Sequence, residues 1–405
     1  MPEELQDVRL QVGLLQQEVE VRGRQIDSLL NKLDSTADKI VELTVEIKSL
    51  NSQRLEEISG ELNLQDAAKV IQYSSGIQAI LHDSVVIDWS GEDCLKELIS
   101  KVSYKIENSG KRGSFGVFHW RQEGKIDGLS GSEIAGLIGG IAGRNGFTID
   151  LESPDNQLGL VLDGSCGKVV CGWLIDYISK EENSNTRRAT ERPFFKPISL
   201  DPKLARLAVN LAGGPLDEYA ILDPMTGTGG FLIEAGLIGR NVIALDLEQE
   251  MVDGAYKNIL WALDYEEVNQ IENVEIIRGD ATDLSNSIPL KWHQKISGLV
   301  LDPPYGRNSH GSLSHFELIK NTLNSFRDVA TDDATVVLIL PIQPLEVKKL
   351  QLEIDSQEIN LLHGEWNDFK LMLKDCKWNI QGIWVEHVHA SLGRLILHAS
   401  NGLLN

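Results

Sequence analysis

Two short stretches of the chain hold residue types that do chemistry. The first is Asp302-Pro303-Pro304-Tyr305-Gly306, which follows the apolar run Gly298-Leu-Val-Leu301. An exocyclic amine on a nucleobase is a poor nucleophile because its lone pair is delocalised into the ring. Two acceptors on its hydrogens push the nitrogen towards a tetrahedral form, and the lone pair then points at a methyl carbon. The Asp302 carboxylate is one such acceptor and the Pro303 carbonyl is the other. Proline fixes φ and removes a competing donor, so Pro303 and Pro304 make a stiff loop. Tyr305 can stack on an extruded base. Catalysis of this kind is positioning and dipole placement, without a covalent intermediate. No cysteine sits beside the loop, which argues against thiol attack on a pyrimidine ring.

The second stretch is Asp223-Pro224-Met225-Thr226-Gly227-Thr228-Gly229-Gly230, between the run Tyr219-Ala-Ile-Leu222 and the segment Phe231-Leu-Ile-Glu-Ala-Gly236. Small residues let the backbone turn tightly and approach a ligand, and a following helix offers free N–H groups. Asp246 closes the next apolar run about 20 residues on, where a carboxylate takes ribose hydroxyls. Asp280 and Ala281 follow the third run, in Arg278-Gly-Asp-Ala-Thr-Asp283. Three acids at three successive strand tips make a crevice that repels phosphate and suits a phosphate-free cofactor carrying a cation. S-adenosylmethionine, with its sulfonium and ammonium groups, fits. NAD is the alternative, but the strand-end Asp223 and the Gly-Thr-Gly-Gly order depart from G-x-G-x-x-G.

These loops need elements to hold them. From residue 200 onward the chain alternates short, fully apolar runs with amphipathic segments, the pattern of an α/β domain whose parallel sheet is covered on both faces. Its end, Ile383–Ala399, reads as two strands turning at Leu392–Gly393, an antiparallel hairpin on the sheet edge. Residues 181–199 are polar and aperiodic and read as a linker. Residues 63–180 read as a smaller α/β region. Ala67–Leu81 has a helical look, Ser84–Trp89 a strand pattern, and Glu92–Ile106 helical spacing again. A strand at 113–120, a helix ending in Arg144-Asn-Gly146 and two strands complete it.

Residues 5–50 carry a heptad repeat, with Leu5, Val12, Val19, Ile26, Leu33, Ile40 and Ile47 at a, and Val8, Leu15, Arg22, Leu29, Thr36, Leu43 and Leu50 at d. β-Branched residues at a with leucine at d favour a parallel two-stranded coiled coil over 1–62, hence a homodimer. A single long helix folded back on the protein is the alternative, since Arg22 and Thr36 interrupt the seam. The pattern fails at Arg54 and Glu57.

The 405 residues carry a formal net charge of −22, which excludes wholesale wrapping of nucleic acid. Residues 101–200 are spared, with 13 Lys+Arg against 12 Asp+Glu. There Lys111, Arg112 and Arg121, with Lys105 and Lys125, surround Phe115, Phe118 and Trp120, a combination that suits an RNA backbone with unstacked bases. Solvated charges on a core strand are the plainer alternative. Arg187 and Arg188 are candidates for phosphate contact, and Arg192 and Lys196 for structural roles. Neither the four cysteines nor the nine histidines show a metal-ligand spacing, so no metal is expected. No run of about 18 apolar residues and no basic, apolar leader occurs, so no membrane is expected as a partner and a cytoplasmic location is.

Three segments together are specific: Arg192-Pro-Phe-Phe-Lys-Pro-Ile-Ser-Leu-Asp-Pro-Lys-Leu-Ala-Arg206, Asp223-Pro-Met-Thr-Gly-Thr-Gly-Gly-Phe-Leu-Ile-Glu-Ala-Gly236 and Leu301-Asp-Pro-Pro-Tyr-Gly-Arg307. Through them, residues from about 65 to 405 resemble the archaeal tRNA guanosine N2-methyltransferases acting at tRNA position ten and their eukaryotic relatives. The resemblance implies a THUMP domain that binds the tRNA acceptor end, over about 100–180, and a Rossmann-like methyltransferase domain over 200–405. It implies that Asp223 through Gly229 line the methionine portion of S-adenosylmethionine, including Pro224, Thr226, Gly227 and Thr228. Asp246 then contacts ribose, Asp280 and Ala281 lie near adenine, and Asp302 through Tyr305 handle guanine. Where such proteins usually open with a ferredoxin-like half, this chain has the heptad, and only 65–105 look like the remainder. tRNA is the expected partner, and a need for a small activator protein stays open. Two other readings are an adenine-N6 methyltransferase on DNA or RNA, since the Asp-Pro-Pro-Tyr loop serves any exocyclic amine, and a catalytically silent RNA-binding coiled-coil protein.

Overall fold

A short strand with no polar face is stable only in a sheet covered on both sides. The runs β8 (Ala220–Asp223), β9 (Asn241–Asp246) and β11 (Ile296–Leu301) are of this kind, buried at nearly every position. In the computed structural model they lie at the centre of an eight-stranded sheet. The structure describes residues 41–48, 53–60, 70–71, 73–122, 124–177, 184–196, 200–213, 218–264, 271–304, 314–344 and 351–401. The chain divides into two compact units, one running from Ala37 to Thr186 and the other from Arg187 to Asn405.

The larger sheet belongs to the second unit. With β10 (Val274–Arg278), β12 (Ala330–Ile342), β13 (Gln351–Leu352), β14 (Asn379–His389) and β15 (Leu392–Ser400), its order is β10-β9-β8-β11-β12-β15-β14-β13. The first five of these are parallel, and β15 pairs antiparallel with both β12 and β14. The edge hairpin is therefore present, but β14 and β15 turn at Ala390–Ser391, two residues before the expected Leu392–Gly393. The helices are α3 (Pro202–Gly213), α4 (Gly230–Leu237), α5 (Gln249–Leu263), α6 (Leu284–Ser287), α7 (His315–Val329) and α8 (Trp366–Asp375). The chain runs outward from β8 to β9 and β10, then returns to place β11 on the other side of β8. Ligands of such sheets bind at this reversal, outside the carboxyl ends of the strands. The Asp223, Asp246 and Asp302 loops all leave from those ends.

In the first unit, β1 (Val41–Lys48), β2 (Gln53–Gly60), β3 (Ala79–Asp88), β4 (Ser114–Gln122), β5 (Thr148–Ile149), β6 (Asn156–Asp163) and β7 (Lys168–Tyr177) form one sheet in the order β2-β1-β3-β7-β6-β4-β5. Helices α1 (Glu92–Asn108) and α2 (Gly131–Arg144) bury Leu98, Val102, Ile106, Ile134, Ile138 and Ile141 in the core cluster that also holds Phe115 and Leu160. Ser130 caps α2 by accepting from the Glu133 amide, and Gly146 past its end has φ of 88°. That left-handed turn is why the Arg-Asn-Gly stop works.

Two expectations need correction here. Ala79, Ile80 and Leu81 begin β3 and are not the end of a helix. The heptad helix does not extend through its last turns: residues 41–48 are β1, paired antiparallel with β2 from Val41 opposite Gly60 to Lys48 opposite Gln53. Val41-Glu-Leu-Thr-Val-Glu-Ile-Lys48 satisfies two periods at once. Leu43 and Ile47 fit a heptad, but Val41, Leu43, Val45 and Ile47 also alternate strictly with polar residues, and the β-branched content favours a strand. Residues 1–40, which carry most of the expected coiled coil, lie outside the described residues.

Candidate active site

The glycine loop is built by a left-handed turn. The Thr226 amide donates to the Leu245 carbonyl (2.8 Å), which ties the loop to β9, and the Gly229 amide donates to the Thr226 carbonyl (2.8 Å). Gly227 and Gly229 have φ of 51° and 81°, a region that costs any residue with a Cβ. A Cβ on Gly229 would meet the Ala255 Cβ at 3.3 Å, so α5 packs against the loop backbone, whereas one on Gly227 would meet nothing within 4 Å. Gly227 thus faces open space at the strand ends.

Asp223 sits beneath this loop, 1% exposed, and its carboxylate oxygens make no well-formed hydrogen bond, the Thr226 hydroxyl and Met225 amide beside it lying outside good hydrogen-bond geometry. Loss of water is the main reason that its pKa is pushed up to about 8. The charges of Asp246 and Asp302 push the same way, against the pull of the Thr226 hydroxyl and the Met225 amide. The tips of β8, β9 and β11 therefore bring three of the expected acids within electrical reach of one another. Asp246 accepts from the Gly227 amide through Oδ2 (2.9 Å) and from the Glu248 amide through Oδ1 (3.0 Å). It anchors the glycine loop as well as facing the crevice. Asp280 takes the Thr282 amide and hydroxyl on Oδ1 (2.8 and 2.7 Å), and Ala281 beside it is buried. The Gly279 amide donates to the Asp246 carbonyl (3.0 Å), so the second and third tips are stitched together.

At the end of β11, Asp302 is half-buried, Pro303 buried and Pro304 half-buried. Tyr305 and Arg307 lie outside the described residues. Beyond the loop, Ser314 and Glu317 form a reciprocal capping box that fixes where α7 begins.

The segment preceding α3 packs on the far side of the glycine loop. Asn258 of α5, fully buried, accepts from the Phe194 amide (2.8 Å) and donates to the carbonyls of both Phe194 and Thr228 (2.8 Å each). Phe194 lies so close over Gly254 that a Cβ there would fall 2.0 Å from its ring. Lys196 pairs with Glu250 (2.6 Å).

Residues 189–366 match the RMKL-like methyltransferase domain family, UPF0020. A tRNA (guanine(10)-N2)-dimethyltransferase of Pyrococcus abyssi is 31% identical over 258 residues, 62% of this chain and 70% of the relative. The chain belongs to the tRNA (guanine(10)-N2)-dimethyltransferase family. The enzyme of that name from Methanothermobacter thermautotrophicus is 35% identical over 223 residues, 55% of this chain and 60% of the relative, so the match spans less than two thirds of that protein's length. Among solved structures, TrmN from Thermus thermophilus aligns with 89% of this chain and all of its own, at 15% identity and a TM-score of 0.48.

Against this family background, the basic residues sort differently from expectation. Arg187 is not available to a phosphate. Its Nε and Nη2 donate to Oε1 and Oε2 of Glu234 (2.9 and 3.3 Å), and Arg206 adds a contact to Oε2 (2.8 Å). Arg188 is exposed, and Arg192 is buried. In the first unit, Lys111 lies over the Trp173 ring at 4.8 Å, and Arg112 and Arg121 are exposed. Phe115 is in the core against Phe147 and Trp173, whereas Phe118 and Trp120 are half-buried against Tyr177. Glu234, Asn258 and Arg206 were missed by the reading of motifs. Each had a signal: a charged or amide residue on the apolar stripe of an otherwise well-patterned helix, where burial without a partner is costly.

Proposed function

We propose that this protein methylates the exocyclic N2 amine of a guanosine in tRNA, at position ten, with S-adenosylmethionine as the donor. The observation that carries the reading is Asp223, buried beneath the Gly227–Gly229 turn with no well-formed hydrogen bond to its carboxylate, within electrical reach of Asp246 and Asp302. The strand tips gather acids there, and there is room above Gly227. It suits a cofactor with cationic centres and no phosphate. Asp223 and the loop amides would hold the amino-acid end, Asp246 the ribose, and Asp280 with Ala281 the adenine side. The cofactor supplies an electrophilic methyl group when bound. The Asp302 carboxylate and the Pro303 carbonyl accept the amine hydrogens and aim its lone pair, and Tyr305 stacks on the base. The names of the relatives support guanine N2 over adenine N6, and support two successive methylations.

The remaining parts of the reading follow from the same assignment. The Ala37–Thr186 unit takes the THUMP-like role, with Lys111, Arg112 and Arg121 as phosphate contacts, and Arg188 of the other unit is a separate candidate for one. A homodimer through the heptad of residues 1–40, a small activator protein and a cytoplasmic location complete the proposal. Bulk tRNA incubated with the protein and S-adenosylmethionine, then digested to nucleosides for mass spectrometry, tests it. N2-methyl- and N2,N2-dimethylguanosine are the expected products. Accumulation of N6-methyladenosine instead would hand the loop to the adenine reading, and no new methylated nucleoside would favour a silent RNA-binding protein.

A further inference from the structure

The glycine loop is flanked on its other side by a second cluster of buried charge. Arg187 and Arg206 both bind Glu234, which has no exposed surface. Arg192 is 4% exposed and senses the same Glu234 carboxylate, with Asp201 also favouring its charge and Arg187 opposing it. Three guanidinium groups thus share two carboxylates, and one of the three is poorly matched. Arg192 donates Nε to the Arg187 carbonyl (3.1 Å) and Nη1 to the Thr228 hydroxyl (3.4 Å), while its Nη2 is buried with no partner.

The direction of that guanidinium is informative. Thr228 belongs to the glycine loop, and a Cβ built on Gly230, the first residue of α4, would lie 3.9 Å from Arg192 Nη1. The eight-residue α4 has Gly229 at its N-cap and no side-chain cap. The amides of its first turn have no acceptor within the helix and carry the positive end of its dipole. A buried cation whose Nη1 lies beside an uncapped helix start, and whose Nη2 is idle, is a site for an anion. Two of the three charges on the amino-acid portion of S-adenosylmethionine are cationic and suit Asp223; the third is a carboxylate.

We propose that Arg192, together with the first turn of α4, binds the carboxylate of the cofactor's amino-acid moiety. This rests on the reading of S-adenosylmethionine as the cofactor and adds a residue and a polarity to it: the acids at the strand tips take the cationic end, and the arginine on the opposite flank takes the anionic end. Glu234 acts through Arg187 and Arg206 as a positioning residue. Its single negative charge is shared between those two, so the cluster keeps a net positive charge, with Arg192 the member in contact with the glycine loop.

Isothermal titration calorimetry with three ligands tests this without any turnover. They are S-adenosylmethionine, decarboxylated S-adenosylmethionine, which keeps the sulfonium and ammonium, and 5′-methylthioadenosine, which lacks the amino-acid portion. The wild-type protein should bind S-adenosylmethionine about 10- to 100-fold more tightly than the decarboxylated form, the range for a hydrogen-bonded charge. Arg192→Gln should lose that factor for S-adenosylmethionine and bind the decarboxylated form and 5′-methylthioadenosine as the wild type does. Arg192→Lys keeps the charge without the planar fork and should lose less. Equal wild-type affinity for the first two ligands would overturn the proposal, and this comparison needs no variant to fold. An equal loss for all three ligands in Arg192→Gln would also overturn it, by showing a purely structural role. Binding of none of the three by the wild type would overturn the cofactor reading and this one together.

Discussion

The two charge clusters that flank the glycine loop are opposites in sign and in how they are satisfied. On one side Asp223, Asp246 and Asp302 converge at the strand tips, and the most buried of the three is held largely protonated, with its pKa pushed up to about 8. On the other side Arg187 and Arg206 are locked onto Glu234 by contacts of 2.8 to 3.3 Å, and Arg192 keeps a buried Nη2 with no partner among the described residues. Buried charges are normally paired, because an unpaired one costs several kcal/mol. A protein that leaves an acid and a base without full partners on the two flanks of one loop has a site complementary to a zwitterion. The difference also bears on function against scaffold: the acid side holds the deeply buried Asp223 with no well-formed hydrogen bond, whereas Arg187 and Arg206 are engaged by Glu234.

If the acid side is chemical, the largest effect comes from its outermost member. Asp302→Ala should lower the methylation rate by roughly 10²–10⁴ with cofactor affinity nearly intact, in line with the loss of a transition-state acceptor. Turnover close to wild type would remove this loop from the chemistry. If the arginine side is scaffold, Glu234→Ala should act on stability first. Removing one partner of a buried ionic cluster costs about 3–5 kcal/mol, readable as a shift in the urea midpoint without a change in slope. A variant as stable as the parent would mean that Arg187 and Arg206 find other partners.

Asp246 belongs to both roles, since it accepts from the Gly227 and Glu248 amides and faces the crevice. Asp246→Ala should weaken S-adenosylmethionine binding by about 1.5–3 kcal/mol, the value of hydrogen bonds to a charged group. An unchanged dissociation constant in calorimetry would reduce Asp246 to a strand-end anchor. The smallest expected effect lies in the other unit. Replacing Lys111 and Arg112 by glutamate should weaken tRNA binding and flatten its salt dependence by roughly 0.7–0.9 in slope per lost phosphate contact, leaving cofactor affinity alone. Equal slopes would make these solvated charges and leave Arg121 and Arg188 as the candidates.

What could be read from the residues alone follows the same divide. The β8, β9 and β11 strands and the loops after them were legible because fully apolar runs admit few structures, and because Gly227 and Gly229 mark a turn that other residues resist. Residues 41–60 were misread because Val41-Glu-Leu-Thr-Val-Glu-Ile-Lys48 satisfies a heptad and a strand alternation together, and only the pairing with β2 decides between them. Arg187 was misplaced for a different reason. An arginine in a polar, aperiodic segment carries no local mark of its partner, and Glu234 is 47 residues away. The more telling residue was Glu234 itself, the single charge in the otherwise apolar α4. A buried carboxylate there demands cations from elsewhere in the chain.

The claim that the acid side awaits a cation has a direct consequence in protons. Burial raises the Asp223 pKa to about 8 in the free protein, against about 3.9 for an unfolded aspartate. The native state therefore holds the extra proton between those values, and the stability this carboxyl contributes is lost as the pH rises through about 8. A cation placed against Asp223 favours its charged form, so cofactor binding at pH 7 should expel the proton. Calorimetric titrations of S-adenosylmethionine in buffers of different ionisation enthalpy measure that release, and subtracting the same titrations on Asp223→Asn removes protons contributed by the cofactor's own amine. The account predicts a difference of up to one proton released per cofactor at pH 7, falling towards zero by about pH 9.5. No difference between the two proteins at pH 7, or net uptake by the wild type relative to the variant, would contradict it.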